Sequence, residues 1–271
     1  MEKKHLTHVR FKPTKRIIPN FNPKTDLDDI EIPKKSKEIA ENYRKSSDLL
    51  DDLNMEMYIM FEDSIIYGFD YLHKKDKIII PEINPVTIFY SNALMSHRKL
   101  IDFRENLYNN SPTLKNQKKP IDTSLFANFF QLASNCLINL QSTLESFANR
   151  LIPENYPFID KNGDSFEPSI FHKLDTALPK IKNIRFKSKY KRDNKRIRDL
   201  IELRNDLIHL EPIKEDMMVK YKDFYRRMLK FDYTQAISSV EKYVNFYEPN
   251  LIESCSCGKE FYYNIYEKSI D

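Results

Sequence analysis

Residues 122–153 read DTSLFANFFQLASNCLINLQSTLESFANRLIP. Phe126, Phe129, Phe130, Ala133, Leu137, Leu140, Leu144, Phe147 and Leu151 recur at the three- and four-residue steps that gather side chains on one face of an α-helix. Asp122, Thr123 or Ser124 can cap its start, and Pro153 ends it. Asn128, Gln131, Asn135, Asn139 and Ser142 form a second stripe on the opposite face. Residues 123–144 carry no charge over 22 positions, a length that could span a bilayer, but these amides argue against a membrane helix. A solvated face normally carries Lys and Glu, so an uncharged amide face is expected to contact another protein surface.

Working outward, the same periodicity predicts an all-α protein. Residues 1–35 hold Pro13, Pro19, Pro23 and Pro33 and read as an extended basic arm. An N-terminal helical region is expected over 36–110. Its first helix runs from about Ser36 to Tyr71 on Ile39, Tyr43, Leu50, Leu53, Met57 and Phe61, and its second from Pro85 to about Tyr108. Ile78-Ile79-Ile80-Pro81 interrupts them as a short apolar, extended stop. Residues 111–120 read as a linker and 121–250 as the helical core, followed by an aromatic tail over 251–271. Within the core, further helices are expected over Ser169–Leu178 (stopped by Pro179), over 190–210 before Pro212, and from Glu215 to Tyr247.

Hydrophobic residues at 41% and charged residues at 31% suit a globular chain rather than a disordered one. The formal net charge of +4 hides a division. Residues 1–16 carry +5 and residues 180–204 carry +8, leaving −9 for the remainder. Lys187, Lys189, Lys191, Arg192, Lys195, Arg196 and Arg198, interleaved with Phe186 and Tyr190, are expected to contact RNA phosphates. Three isolated glycines, Gly68, Gly163 and Gly258, exclude a phosphate-cradling loop, a dinucleotide fingerprint and a nucleophile elbow, each of which needs clustered glycines. Cys136, Cys255 and Cys257 form no disulfide framework, and two thiols one residue apart give only half a zinc site. No metal and no cofactor is expected. Met1-Glu2-Lys3-Lys4-His5 lacks the apolar run of a secretory signal, so the expected compartment is the cytoplasm.

The helix over 190–210 breaks its own pattern. Ile197, Leu200, Ile201, Leu207 and Ile208 define an apolar stripe, and Arg204 falls in its middle. An arginine there must be paired or face a ligand, because an unpaired buried charge costs several kcal/mol. Arg198, Asn205 and His209 share a neighbouring face, and His209 lies in the last turn, where the helix dipole favours a protonated imidazole. Histidine beside arginine suits acid–base chemistry on a phosphodiester without a metal. The two are five residues apart, about 140° around a regular helix. Either local unwinding before Pro212 or a cleft between two copies of the helix would bring them to one phosphate.

The segment Glu202-Leu203-Arg204-Asn205-Asp206-Leu207-Ile208-His209 resembles the signature of the HEPN superfamily: arginine, a polar residue, three more residues, then histidine. Leu144-Glu145-Ser146-Phe147-Ala148-Asn149 is similar to part of the first long helix of such domains. The resemblance covers roughly residues 120–250. It implies an up-and-down bundle of four to five helices that dimerises. It also implies a metal-independent endoribonuclease leaving 2′,3′-cyclic phosphate ends, in a toxin–antitoxin or anti-phage setting with an antitoxin or defence partner. In that pattern Arg204 and His209 are catalytic and Asn205 orients them. Glu145 can pair with Arg204 or support the site. The chain departs from the family's nucleotidyltransferase-partnered toxins, which carry tyrosine two residues after the histidine; here that position is Glu211. Other family members bind RNA without cutting it or are structural.

Overall fold

The computed structural model describes residues 8–16, 33–49, 57–61, 64–210 and 221–256. The chain divides into two compact units, residues 11–84 and residues 1–10 with 85–271.

The all-α expectation is overturned in the smaller unit. It contains β1 (Lys15–Arg16), α1 (Lys34–Lys45), β2 (Met57–Phe61), β3 (Ser64–His73) and β4 (Asp76–Pro81). β3 is the centre of an antiparallel sheet. Ile66 lies opposite Ile59 of β2, and Tyr71 lies opposite Ile78 of β4. β1 joins the edge that β4 occupies, with Lys15 opposite Ile66. A tight turn at Lys74, with φ of 59°, links β3 to β4. Among the described residues, the helix expected from Ser36 to Tyr71 is helical over Lys34–Lys45. Met57 and Phe61 sit at helical spacing, but β-branched and aromatic residues crowd 57–80, and pairing along β3 satisfies their backbone groups better than a helix would. The extended reading of Ile78–Pro81 corresponds to β4. Ile66 is buried, while Tyr58, Met60, Phe69, Tyr71 and Ile79 stay exposed.

The larger unit is helical. Its elements are α2 (Pro85–Asn110), α3 (Thr123–Leu151), α4 (Ile170–His172), a π-helical turn (Lys173–Ala177), α5 (Leu178–Lys182), α6 (Phe186–Lys189), α7 (Lys191–Ile208), α8 (Lys222–Lys230) and α9 (Tyr233–Tyr247). α2, expected in an N-terminal region, packs along α3. α7 packs on α9 and α3. Phe129, Leu137, Leu140, Leu144 and Phe147 of α3 meet Leu200 and Ile201 of α7 and Val240 and Val244 of α9 in one core. Cys136 is buried in it as a small hydrophobe, and burial pushes its thiol pKa upward.

Capping fixes the boundaries. The Asp122 carboxylate accepts the Ser124 N–H at 2.8 Å and opens α3. Pro179 does not stop its helix; it lies in the first turn of α5, where a missing N–H is harmless, and the chain ends that helix at Asn183 with φ of 53°. The helix expected over Glu215–Tyr247 is two helices within the described residues. Asp232 accepts the Gln235 N–H at 3.0 Å and begins α9, with Phe231 extended between α8 and α9. The extended arm has order at two places: Val9 bridges Ser254, Arg10 N–H donates to the Glu253 carbonyl at 2.9 Å, and Lys15–Arg16 form β1. No helix among the described residues is long and apolar enough to cross a membrane.

Candidate functional site

α7 carries the candidate chemistry. Ile197, Leu200, Ile201, Leu203 and Leu207 face the core, whereas Ile208 at the helix end is exposed. Arg204 is half-buried on this stripe. Its Nε is buried and has no hydrogen-bond partner, and its Nη1 donates to Asn205 Oδ1 at 3.4 Å. Neighbouring arginines are engaged by acids. Arg198 meets Asp175 at 2.6 Å, Arg196 meets Asp193 at 3.4 Å and Arg227 pairs with Asp206. Arg204 forms no ion pair with a described residue. A buried donor without a partner is destabilising by about 1–3 kcal/mol, and an anion bound at Arg204 could recover part of that.

α7 ends at Ile208, so His209 leaves helical geometry, with φ of −104° and ψ of 30°. Its backbone N–H still donates to the Asn205 carbonyl at 3.1 Å, and its ring is exposed. Asn205 thus touches both members of the pair, through its side chain to Arg204 and its carbonyl to His209. No hydrogen bond joins Arg204 to His209 directly. Glu145 on α3 is half-buried and makes no hydrogen bond or ion pair with a described residue, Arg204 included.

The seven basic residues separate into two groups. Lys187, Lys189, Lys191, Arg192 and Lys195 are exposed on α6 and the first turns of α7. Arg196 and Arg198 are half-buried and structural: each holds an acid, and Arg198 also stacks over Phe171 at 4.8 Å. The exposed group's members on α7, Lys191, Arg192 and Lys195, lie about 13 to 20 Å along the helix from Arg204 at 1.5 Å per residue. It does not adjoin Arg204 and His209 as the sequence order suggests.

Two polar residues that sequence reading passed over lie on the core side of α7. Asp193 accepts from Ser239 Oγ at 3.0 Å and pairs with Lys242 at 3.0 Å. Burial opposes its ionisation, but hydrogen bonds from Lys242 and Ser239 and the charges of Lys242 and Arg196 hold its carboxyl below the ordinary range. Asn194 is 4% exposed. The signal for it was present, since Asn194 lies at helical spacing with Ile197 and Ile201 on the buried side.

The amide stripe of α3 is partly open. Gln131 and Asn135 are exposed, whereas Asn128, Asn139 and Ser142 are half-buried. Asn139 turns back to donate to the Asn135 carbonyl at 2.8 Å. Cys255 is half-buried, Cys257 lies outside the described residues, and among the described residues no cluster of His, Cys, Asp and Glu is assembled that could hold a metal ion. Compared with known proteins, the chain matches no family model, no curated protein and no solved structure.

Proposed function

We propose that the chain is a metal-independent endoribonuclease acting through Arg204 and His209 in the cytoplasm, as a homodimer, in a toxin–antitoxin or anti-phage setting. The observation that carries this reading is Arg204: a core-stripe arginine without an acidic partner among the described residues, tied through Asn205 to an exposed histidine at the helix end. The resemblance of Glu202–His209 to the HEPN signature supports it.

His209 would take the proton of a ribose 2′-hydroxyl or return one to the leaving 5′-oxygen. Such a step is worth roughly 10²–10⁴-fold in rate. Arg204 would hold the phosphate and offset the charge that builds on it. The attacking 2′-oxygen forms the new P–O bond, the P–O5′ bond breaks, and the product is a 2′,3′-cyclic phosphate.

One observation favours a second reading, RNA binding without cleavage. No hydrogen bond joins Arg204 to His209 within one chain, and His209 lies past the last helical residue of α7. The test is cleavage of RNA in EDTA by the wild type, Arg204→Ala and His209→Ala. Wild-type cutting that both variants lose while remaining folded supports the nuclease. Salt-sensitive binding with no cutting by any of the three supports the binder. Equal cutting by all three overturns the assignment of the site.

A further inference from the structure

A cavity of about 370 Å³ opens where α5, α6, α7 and α9 meet. Its α7 residues, Lys191 and Asn194, lie about 15 to 20 Å along the helix from Arg204, so it is separate from the candidate cleavage site. Arg185, Lys187 and Lys191 line it, all three exposed and none paired with a described acid. Phe186 and Tyr247 supply aromatic wall, and both rings are locked in place. Tyr247 Oη accepts the Phe186 N–H at 3.3 Å.

Three further features point to a ligand. Asn194 lines the cavity and is 4% exposed, yet its side-chain amide makes no hydrogen bond with any described residue. An amide of a nearly buried residue that opens only into a cavity is placed to hydrogen-bond whatever occupies it. Lys191 is the first residue of the 18-residue α7, whose start has no side-chain cap, so the positive end of that helix dipole lies at the cavity wall. The one carboxylate among the lining residues, Asp175, is already neutralised by Arg198 at 2.6 Å.

The geometry points to a nucleoside phosphate site. The phosphate is placed against Arg185, Lys187 and Lys191. The base lies between the apolar and aromatic walls, with its polar edge on the donor and acceptor of Asn194. The volume is in the range of small-ligand pockets. The nucleotide can be free or can be one unstacked nucleotide of an RNA strand; the recognising chemistry is the same. This inference does not depend on cleavage at Arg204 and His209.

Isothermal titration of the full chain with the four ribonucleoside 5′-monophosphates, with inorganic phosphate as control, tests it. At least one monophosphate should bind ten times or more tighter than phosphate. Asn194→Leu and Lys191→Glu should each weaken that binding tenfold or more. Asn194→Leu should leave the thermal midpoint close to that of the wild type, because no side-chain hydrogen bond to a described residue is lost. Competition by a short oligoribonucleotide would make the source RNA, and absence of competition would make it a free nucleotide. The same titration on Arg204→Ala/His209→Ala should give wild-type affinity, which separates this site from the nuclease reading. No monophosphate binding, affinity equal to that for phosphate, or full binding by Asn194→Leu would each overturn the proposal.

Discussion

Asn205 Oδ1 accepts a hydrogen bond from Arg204 Nη1 at 3.4 Å, the one polar contact among the described residues that holds this guanidinium. A bond of that length is worth about 1 kcal/mol or less. Asn205→Ala is therefore expected to lower the rate of RNA cleavage about two- to fivefold. It should leave the far-ultraviolet dichroism unchanged, since the Asn205 carbonyl that receives His209 is backbone. A variant that cuts at the wild-type rate would remove Asn205 from the positioning of Arg204.

Because no hydrogen bond joins Arg204 to His209 within one chain, a working site is expected to assemble from the arginine of one copy and the histidine of another. Mixing Arg204→Ala with His209→Ala should then restore about a quarter of wild-type activity, because half of randomly formed dimers are mixed and each carries one intact site. Neither variant alone should cut. If the mixture stays as inactive as its components while its solution mass shows mixed dimers, the two-copy arrangement fails.

The Asp193 network gives a pH dependence of stability. The folded-state pKa of Asp193 lies below its unfolded value. Its contribution is accordingly present above the ordinary carboxylate range near pH 4 and is lost as pH falls through the folded value. Asp193→Asn should lower stability by about 2 kcal/mol near neutrality, as expected for charge-assisted bonds. Urea unfolding at pH 7 and at pH 3 should show that gap closing in acid. A gap of the same size at both values would mean that packing, not charge, accounts for it.

The start of α9 rests on one side chain. Asp232→Ala removes the cap on Gln235 and should destabilise the helical unit by about 1 kcal/mol, with Asp232→Asn losing much less. Chemical denaturation of both variants checks this. Equal losses would point to charge rather than the hydrogen bond.

The long helices were legible because their signal is redundant. α3 shows nine apolar positions in phase, and α2 and α7 are nearly as regular. The sheet was not, because Met57 and Phe61 continue the spacing of Ile39 and Tyr43 across a boundary that only strand pairing defines. The break at Phe231–Asp232 was hidden for a related reason: Tyr225, Leu229 and Tyr233 keep helical phase through it, and a single capping carboxylate decides where the turn falls. Arg204 stood out in sequence as a charge on an apolar stripe. Its lack of an acidic partner among the described residues did not, since pairing depends on the fold, as it does for Arg196, Arg198 and Arg227, which are paired. The cavity at Asn194 needed the fold, because its walls come from stretches up to about seventy residues apart.

The bridge between Val9 and Ser254 has a consequence for biosynthesis. The helical unit is discontinuous in the chain, with residues 11–84 inserted between its first strand-like residues and α2. A ribosome releases Val9 some 245 residues before the segment that Val9 pairs with. Among the described residues the four strands of the inserted unit pair with one another, so its sheet can form while the helical unit still lacks its last edge. The connectivity thus sets one limit on assembly: the Val9–Ser254 bridge cannot form until nearly the whole described chain has been made.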